Sequence, residues 1–460
     1  MLYILRLSGG YTIFKALKDI KSDDLFRAGS LMFFAIVAAG GFFYIFHIFV
    51  GRALGAATYG EFGALFSLSY FLQFTLFRAL NVTVARSISK FKGQNKLQLI
   101  PLFHSKMLLY MTIVGVTAFA IFSLLSGQIA DFLHIDSIIL VLFIGILFLF
   151  CWILPVNLGT MQGLQRFNHL ALMNLLPAAL KFVIGVGLVL LGFGIYGAVG
   201  GLVVGIFINF MFSFYLLRDI IRWRGLKISS SFVSANTPKS ESDPDLAHVS
   251  AHDINFEIKE AFRFSFPVLF AVVCIAIPTN IDVVLVKHFF TAVDAGLFTA
   301  VSVFGRLILA LPIAINAVMY PKVVEAHTKK SETRGILNRS LFYIGVPAGL
   351  AALFFWLLPT FFLGIFYGEE YLGAASLLQL YGIFAFFFSL TTVLVYNSLA
   401  KNRYAFVYLF VAFSVLELGL IWLYHSSLLL VLQILLVMSV ISFVTGFGIN
   451  YAYPRAKKIA

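Results

Sequence analysis

Five charged residues stand inside stretches that are otherwise almost wholly apolar: Arg78, Lys181, Asp282, Arg306 and Glu417. In hydrocarbon such a side chain costs on the order of 2.5–3.5 kcal/mol near mid-depth on insertion scales, so it faces water, a partner or a ligand. Counted along their stretches, Lys181, Arg306 and Glu417 lie near the middle. Arg78 lies toward one end of its stretch, where it could also reach the interface as an anchor, and Asp282 lies toward the end of its own. Three cations against two acids leave a positive surplus, and a wet, positive interior favours an anionic group. Phosphate or pyrophosphate fits, because a guanidinium offers such oxygens a planar fork of donors. The opposing account is structural: Asp282 or Glu417 pairs with Arg306 or Lys181 and simply holds helices together.

Polar neighbours extend the pattern. Asn174 precedes Lys181 by seven residues, which puts both on one helix face with Pro177 between them. Pro278 stands just before Asn280 and Asp282, where a proline frees backbone carbonyls beside a carboxylate. This assigns Arg306, Lys181, Arg78 and Asn174 to an anion-binding interior, and Asp282, Glu417 and Asn280 to gating or cation coupling. Glu61, Lys106 and Lys287 stand near span ends and are expected at an interface, as is His47. Cys151 and Cys274 sit in apolar runs and form no metal pattern.

The elements that hold these residues must be membrane spans. The chain is 61% hydrophobic and only 12% charged, against about 25% charged in soluble domains. Apolar runs of roughly 20 residues, the length that crosses a hydrocarbon core, fill nearly all of it. The expected spans are 28–50, 59–82, 101–125, 137–158, 168–191, 195–217, 264–287, 295–319, 340–361, 371–399, 404–424 and 427–451. The first is expected to be retained rather than cleaved as a signal peptide. Alternate loops carry 28 of the 33 Lys and Arg residues, leaving only Arg52 and Lys287 for the opposite loops. The positive-inside rule then puts both termini in the cytoplasm. It also accounts for the net charge of +13 without nucleic acid.

The spans fall into two similar halves. Phe26-Arg27 through Gly60-Glu61-Phe62-Gly63-Ala64 returns 236 residues later as Phe262-Arg263 through Gly296-Leu297-Phe298-Thr299-Ala300, with about a quarter of positions identical. Six spans per half make the repeats parallel, a design used by transporters whose halves rock around a central site. The expected fold is an all-α integral membrane protein of about 12 transmembrane helices in two parallel six-helix repeats around a central cavity. Its parts are a cytoplasmic amphipathic segment at 1–27, bundles at 28–217 and 261–451, a polar cytoplasmic linker at 218–260 and a basic tail at 452–460. The centre of the linker, Ser229 to Asp245, reads as a disordered tether.

The sequence resembles the polysaccharide-transporter branch of the multidrug/oligosaccharidyl-lipid/polysaccharide flippase superfamily. The likeness rests on Val50-Gly51-Arg52-Ala53-Leu54-Gly55 with Tyr59-Gly60-Glu61-Phe62, and on Asn280-Ile281-Asp282-Val283-Val284-Leu285-Val286 with Ala295-Gly296-Leu297-Phe298-Thr299-Ala300 and Pro321. The polar linker is longer than such proteins usually keep. The resemblance implies two six-helix bundles in a V, and movement of a polyprenyl-(di)phosphate-linked oligosaccharide from the inner to the outer leaflet of the plasma membrane for surface polysaccharide assembly. On that reading the partners are the lipid-linked substrate, membrane lipids and glycan-assembly enzymes. No cofactor is expected, and Na⁺ or H⁺ coupling is left open. The alternative is a cation-coupled multidrug or small-molecule exporter of the same superfamily, which would need more acid in the lumen. An enzyme is not expected, because the loops opposite the basic side are too short to build a catalytic site. No nucleotide loop of the GxxxxGK[ST] type is present.

Overall fold

The structure is a computed structural model that describes residues 24–220, 251–329, 331–401 and 403–452. Those residues are almost entirely helical and contain no β-strand. Among them, nine helical runs are long and apolar enough to cross a membrane. Two of these, Leu31–Gly93 and Phe167–Leu216, hold two of the expected spans each. The seventh expected span lies in a further helix, α8 (Ala251–Phe289), so the described helices accommodate all twelve.

The doubled runs turn at glycines. Helix α1 (Asp24–Leu72) reverses at Gly55, whose φ of 73° is open to glycine and strained for other residues. The rings of Phe43 and Phe66 are consequently 5.7 Å apart, whereas 23 residues of unbroken helix would separate them by about 35 Å. The second arm passes through a π-helical segment, Gln73–Phe77, into α2 (Arg78–Gly93). Helices α3 (Leu99–Leu124), α4 (Ser126–Leu133) and α5 (Ile138–Gly163) follow. Helix α6 (Phe167–Leu188) then turns at Gly192 and Gly194 into α7 (Gly194–Leu216). Beyond α8 come α9 (Ala292–Thr328), α10 (Arg334–Leu357), α11 (Pro359–Phe366), α12 (Ala375–Ala400), α13 (Tyr404–Leu423) and α14 (Leu428–Ala452).

The 236-residue offset of the repeat reappears as geometry. The second arm of α1 crosses α9 where Gly60 faces Ala292 and Gly296 faces Ala56, each pair being the image of the other under that offset. A Cβ on Gly60 would lie 2.1 Å from the Ala292 carbonyl oxygen, and one on Gly296 would lie 1.9 Å from that of Ala56. Duplicated glycines thus let two backbones touch at a pseudo-twofold crossing. On the axis itself, a Cβ on Gly63 would lie 2.1 Å from the hydroxyl oxygen of Thr299, its own repeat partner.

The chain before α8 differs from expectation. The described helix runs from Ala251, so the last ten residues of the expected linker are helical. The reason is tertiary. Lys90 Nζ donates to Glu257 Oε1 at 2.6 Å, and Ile258 is buried in a cluster with Leu80, Val84, Phe91 and Phe103. A polar local composition carried no sign of this docking. The expected amphipathic stretch within 1–23, the linker centre at 221–250 and the tail from 453 lie outside the described residues.

Candidate functional site

An aromatic ladder runs along the second arm of α1 into the π-helical segment that follows it. Phe62, Phe66, Tyr70 and Phe74 recur every fourth residue, so each ring sits one turn beyond the last. Successive centroids are 6.0, 5.7 and 6.2 Å apart with planes within 28° of parallel. Three of the five intramembrane charges lie along this ladder. Lys181, reaching in from α6, holds its Nζ 5.5 Å from the Phe66 centroid, with Phe43 and Phe46 at 4.9 and 5.1 Å. Arg306, reaching in from α9, holds its Cζ 5.6 Å from Phe66 and 5.5 Å from Tyr70. Arg78 lies over Phe74 at 4.5 Å.

The host of these cations matters. An aromatic face attracts a cation through its quadrupole, by about 0.5–2 kcal/mol depending on desolvation, yet it carries no net charge. A carboxylate host would cancel the positive potential, and a ring leaves it in place. Lys181 and Arg306 share Phe66 and repel one another. One guanidinium nitrogen of Arg306, Nη2, donates to Ser67 Oγ at 2.9 Å. Its Nε and Nη1 are buried with no hydrogen-bond partner among the described residues. The arrangement is a positive site with spare donors, suited to an anion with several oxygens.

The two acids are not on the ladder, but Asp282 is within electrostatic reach of Arg306. Asp282 on α8 is buried, and Tyr381 O–H from α12 donates to its Oδ2 at 3.1 Å. The same hydroxyl is 3.3 Å from Ser302 Oγ. A Cβ on Gly305 would lie 2.0 Å from the Tyr381 ring, so that glycine makes room for the phenol. Glu417 on α13 is also buried, near enough to Asp282 for the two carboxylates to interact. Asp282 Oδ1, Glu417 Oε1 and Asn280 Oδ1 are buried acceptors without a donor among the described residues. None of the five intramembrane charges forms a direct ion pair among those residues, although Asp282 lies within electrostatic range of Arg306. Nor does any group of three His, Cys, Asp or Glu side chains form there.

The two asparagines serve their own helices. Asn280 Nδ2 donates to the Ala276 carbonyl at 3.0 Å, and Thr279 Oγ1 donates to Ile275 and Ala276. These bonds occupy backbone carbonyls in the turn next to Pro278, within a continuous helix. Asn174 Nδ2 donates to Leu170 O at 2.8 Å and its side chain is exposed, so it does not join the cations. Two residues expected at an interface are enclosed by other helices. His47 is fully buried between Phe43 and Phe66, with Nδ1 3.1 Å from Tyr59 Oη, which is in turn 3.2 Å from Tyr367 Oη. Lys287 is buried and donates to the His134 carbonyl at 3.0 Å. The fold-back at Gly55 and a docked neighbouring helix enclose positions that hydropathy places at a surface.

Sequence reasoning missed the rings. Phe43, Phe46, Phe66, Tyr70 and Phe74 position the cations, while Tyr381 holds Asp282. The four-residue spacing from Phe62 to Phe74 was a legible signal, hidden among the 53 phenylalanines of the chain.

The described residues form an all-helical, many-span bundle with charged side chains buried inside it, the architecture of an integral membrane protein. Among solved structures it is similar to a multidrug resistance MATE family transporter of the MOP superfamily in an inward-facing conformation, with TM-score 0.69, 16% identity, and 91% of this chain and 96% of that one covered. It is also similar to the lipid II flippase MurJ in an inward closed conformation, with TM-score 0.67, 13% identity, and 93% and 87% covered. A Vibrio cholerae MATE transporter matches with TM-score 0.61 and 14% identity over 92% and 94% of the two chains. No curated protein matches the sequence. The chain belongs to the polysaccharide biosynthesis protein family, whose model matches residues 26–327.

Proposed function

We propose that this protein is a flippase that carries a polyprenyl-(di)phosphate-linked oligosaccharide from the inner to the outer leaflet of the plasma membrane by alternating access, for assembly of a surface polysaccharide. The observation that carries the reading is the pair Lys181 and Arg306. One comes from each half of the chain, both lie on Phe66, and neither forms an ion pair with a carboxylate among the described residues. Two like charges held this close repel, and a bound diphosphate replaces that repulsion with attraction to both. Arg306 supplies the forked donors through Nε and Nη1. Arg78, farther along the ladder, would meet the anion on its way to this point. Membership of the polysaccharide biosynthesis family supports a saccharide-linked cargo. The similarity to a protein titled a lipid II flippase supports a lipid-linked one.

In this proposal residues 28–217 and 261–451 are the two moving bundles, and both termini lie in the cytoplasm with the basic loops. The lipid tail stays in the bilayer while the head group crosses, so the protein binds and releases without making or breaking bonds. Asp282 and Glu417, with Asn280 Oδ1, offer unpaired acceptors for Na⁺ or H⁺ that would drive the cycle. Enzymes of glycan assembly would then supply the cargo and consume it.

The test is reconstitution in liposomes with a fluorescent polyprenyl-diphosphate sugar, followed by its accessibility to a membrane-impermeant quencher. Wild type should equilibrate the lipid between leaflets, with Arg306→Ala and Lys181→Ala each slowing it at least tenfold while the protein stays monodisperse and folded. If several such lipids remain static under imposed Na⁺ and H⁺ gradients while a small organic cation is moved, the flippase reading is wrong and the exporter reading replaces it.

A further inference from the structure

At the end of the bundle that carries the Gly55 reversal, the two halves hold one another by the same device used twice. Arg52, in the last turn before that reversal, donates Nη2–H to the carbonyl oxygen of Ile365 at 2.6 Å. Advancing Arg52 by the 236-residue repeat gives His288, in the last turn of α8. His288 Nδ1 is 2.6 Å from the carbonyl oxygen of Phe132. A carbonyl only accepts, so Nδ1 carries the proton. Phe132 and Ile365 are each the seventh residue of an eight-residue helix, α4 and α11, and so occupy the same place in related elements. The His288 ring also lies flat on that of Phe132, with centroids 4.0 Å apart and planes 8° from parallel.

The chemistry suits the position. The last four carbonyls of a helix have no partner within it and carry the negative end of its dipole, which favours a cation or strong donor. Both short helices end in this way against the opposite half. The second half answers on the Arg52 side: Glu370 Oε1 accepts from the backbone N–H of Ala56 at 2.9 Å, just past the reversal. Tyr371 O–H donates to Gly51 O at 2.9 Å. A Cβ on Gly51 would lie 2.6 Å from the Tyr367 ring, which explains a glycine in the Gly51-Arg52 pair. Among the described residues Arg52 and Glu370 form no ion pair with each other; each charge is engaged by a helix end across the interface.

We infer that Arg52 and His288 are paired clasps that keep this end of the molecule shut, each by seizing the C-terminal carbonyls of the other half's short helix, and that this end opens only when both let go. The inference rests on these contacts and not on the identity of the transported molecule.

Double electron–electron resonance on the full-length protein in nanodiscs tests it. Spin labels go on Leu125→Cys and Leu358→Cys, exposed positions immediately before α4 and α11, with Cys151→Ala and Cys274→Ala removing the native thiols. Wild type should give a short distance. Arg52→Ala with His288→Ala should raise the ratio of long-distance to short-distance populations at least tenfold, equivalent to about 1.4 kcal/mol, with each single change giving less. The charge swap Arg52→Glu with Glu370→Arg should not restore the short distance, because a carboxylate cannot donate to helix carbonyls. An unchanged distribution in the double variant, or restoration by the swap, overturns the inference. Should the alanine pair not fold, His288→Phe keeps the stack on Phe132 and removes only the donor. It should still raise the ratio severalfold, and no change there is equally fatal.

Discussion

Replacing Gly296 by alanine sets two principles against each other, and the structure says which prevails. Within a helix, Gly to Ala is ordinarily favourable by roughly 0.5–1 kcal/mol, because glycine has more conformational freedom to lose. Here the new Cβ would lie 1.9 Å from the Ala56 carbonyl oxygen, and ordinary contact begins at 3.4 Å, so the two backbones must part by about 1.5 Å. The obstacle is main chain in a helix and has no rotamer to escape into. Overpacking of this kind costs about 1–3 kcal/mol where side chains can adjust, and more where they cannot. The expected net effect of Gly296→Ala is therefore a loss of about 2 kcal/mol or more. Gly40→Ala, in the first arm of α1 with nothing within 4 Å of the added carbon, should be neutral or stabilising. Thermal unfolding of the purified protein in one detergent gives the comparison directly. Gly296→Ala should melt clearly below wild type and Gly40→Ala at or above it. Gly60→Ala, the repeat partner, should resemble Gly296→Ala, since its Cβ meets the Ala292 carbonyl oxygen at 2.1 Å. Equal melting of all three variants would mean that the halves do not touch at this crossing, and the account of the duplicated glycines would be refuted.

Two further outcomes are expected. Tyr381→Phe removes the hydroxyl that donates to Asp282 and leaves a buried carboxylate without that partner, at a cost of about 1–3 kcal/mol; a melting temperature equal to wild type would show that the phenol is dispensable to Asp282. Lys401, just beyond the end of α12, has its amine lowered from its ordinary 10.5 to about 8 by burial, with Arg403 and Arg334 adding repulsion. The folded protein then binds fewer protons than the unfolded chain between those values, so stability should rise as pH climbs from 8 toward 10.5. Comparing wild type with Lys401→Met across that window isolates the contribution, and parallel pH profiles would contradict it.

The bilayer imposes its own length scale on a sequence, and that made much of this protein legible. Runs of about 20 apolar residues and the alternation of basic loops point to the span count and the fold class. The same scale singles out Lys181, Arg306 and Glu417, because a charge at mid-depth is conspicuous whatever surrounds it. Where the sequence faltered, the cause was contact across long separations. The segment from Ala251 reads as polar linker, yet Lys90 and the cluster around Ile258 make it helix. His47 reads as interfacial, yet the fold-back at Gly55 encloses it.

The sequence by itself determined which charges had to be explained and that the two halves repeat. Only the tertiary structure decided what each charge meets. Residues 181 and 306 come to one ring at position 66, and residue 52 reaches the carbonyl of residue 365. Hydropathy reports how deep a side chain lies along its own helix, because depth is set by the solvent around that one segment. Which way it faces and what it touches depend on how separate helices pack, and that is a property of pairs of segments that no single stretch encodes.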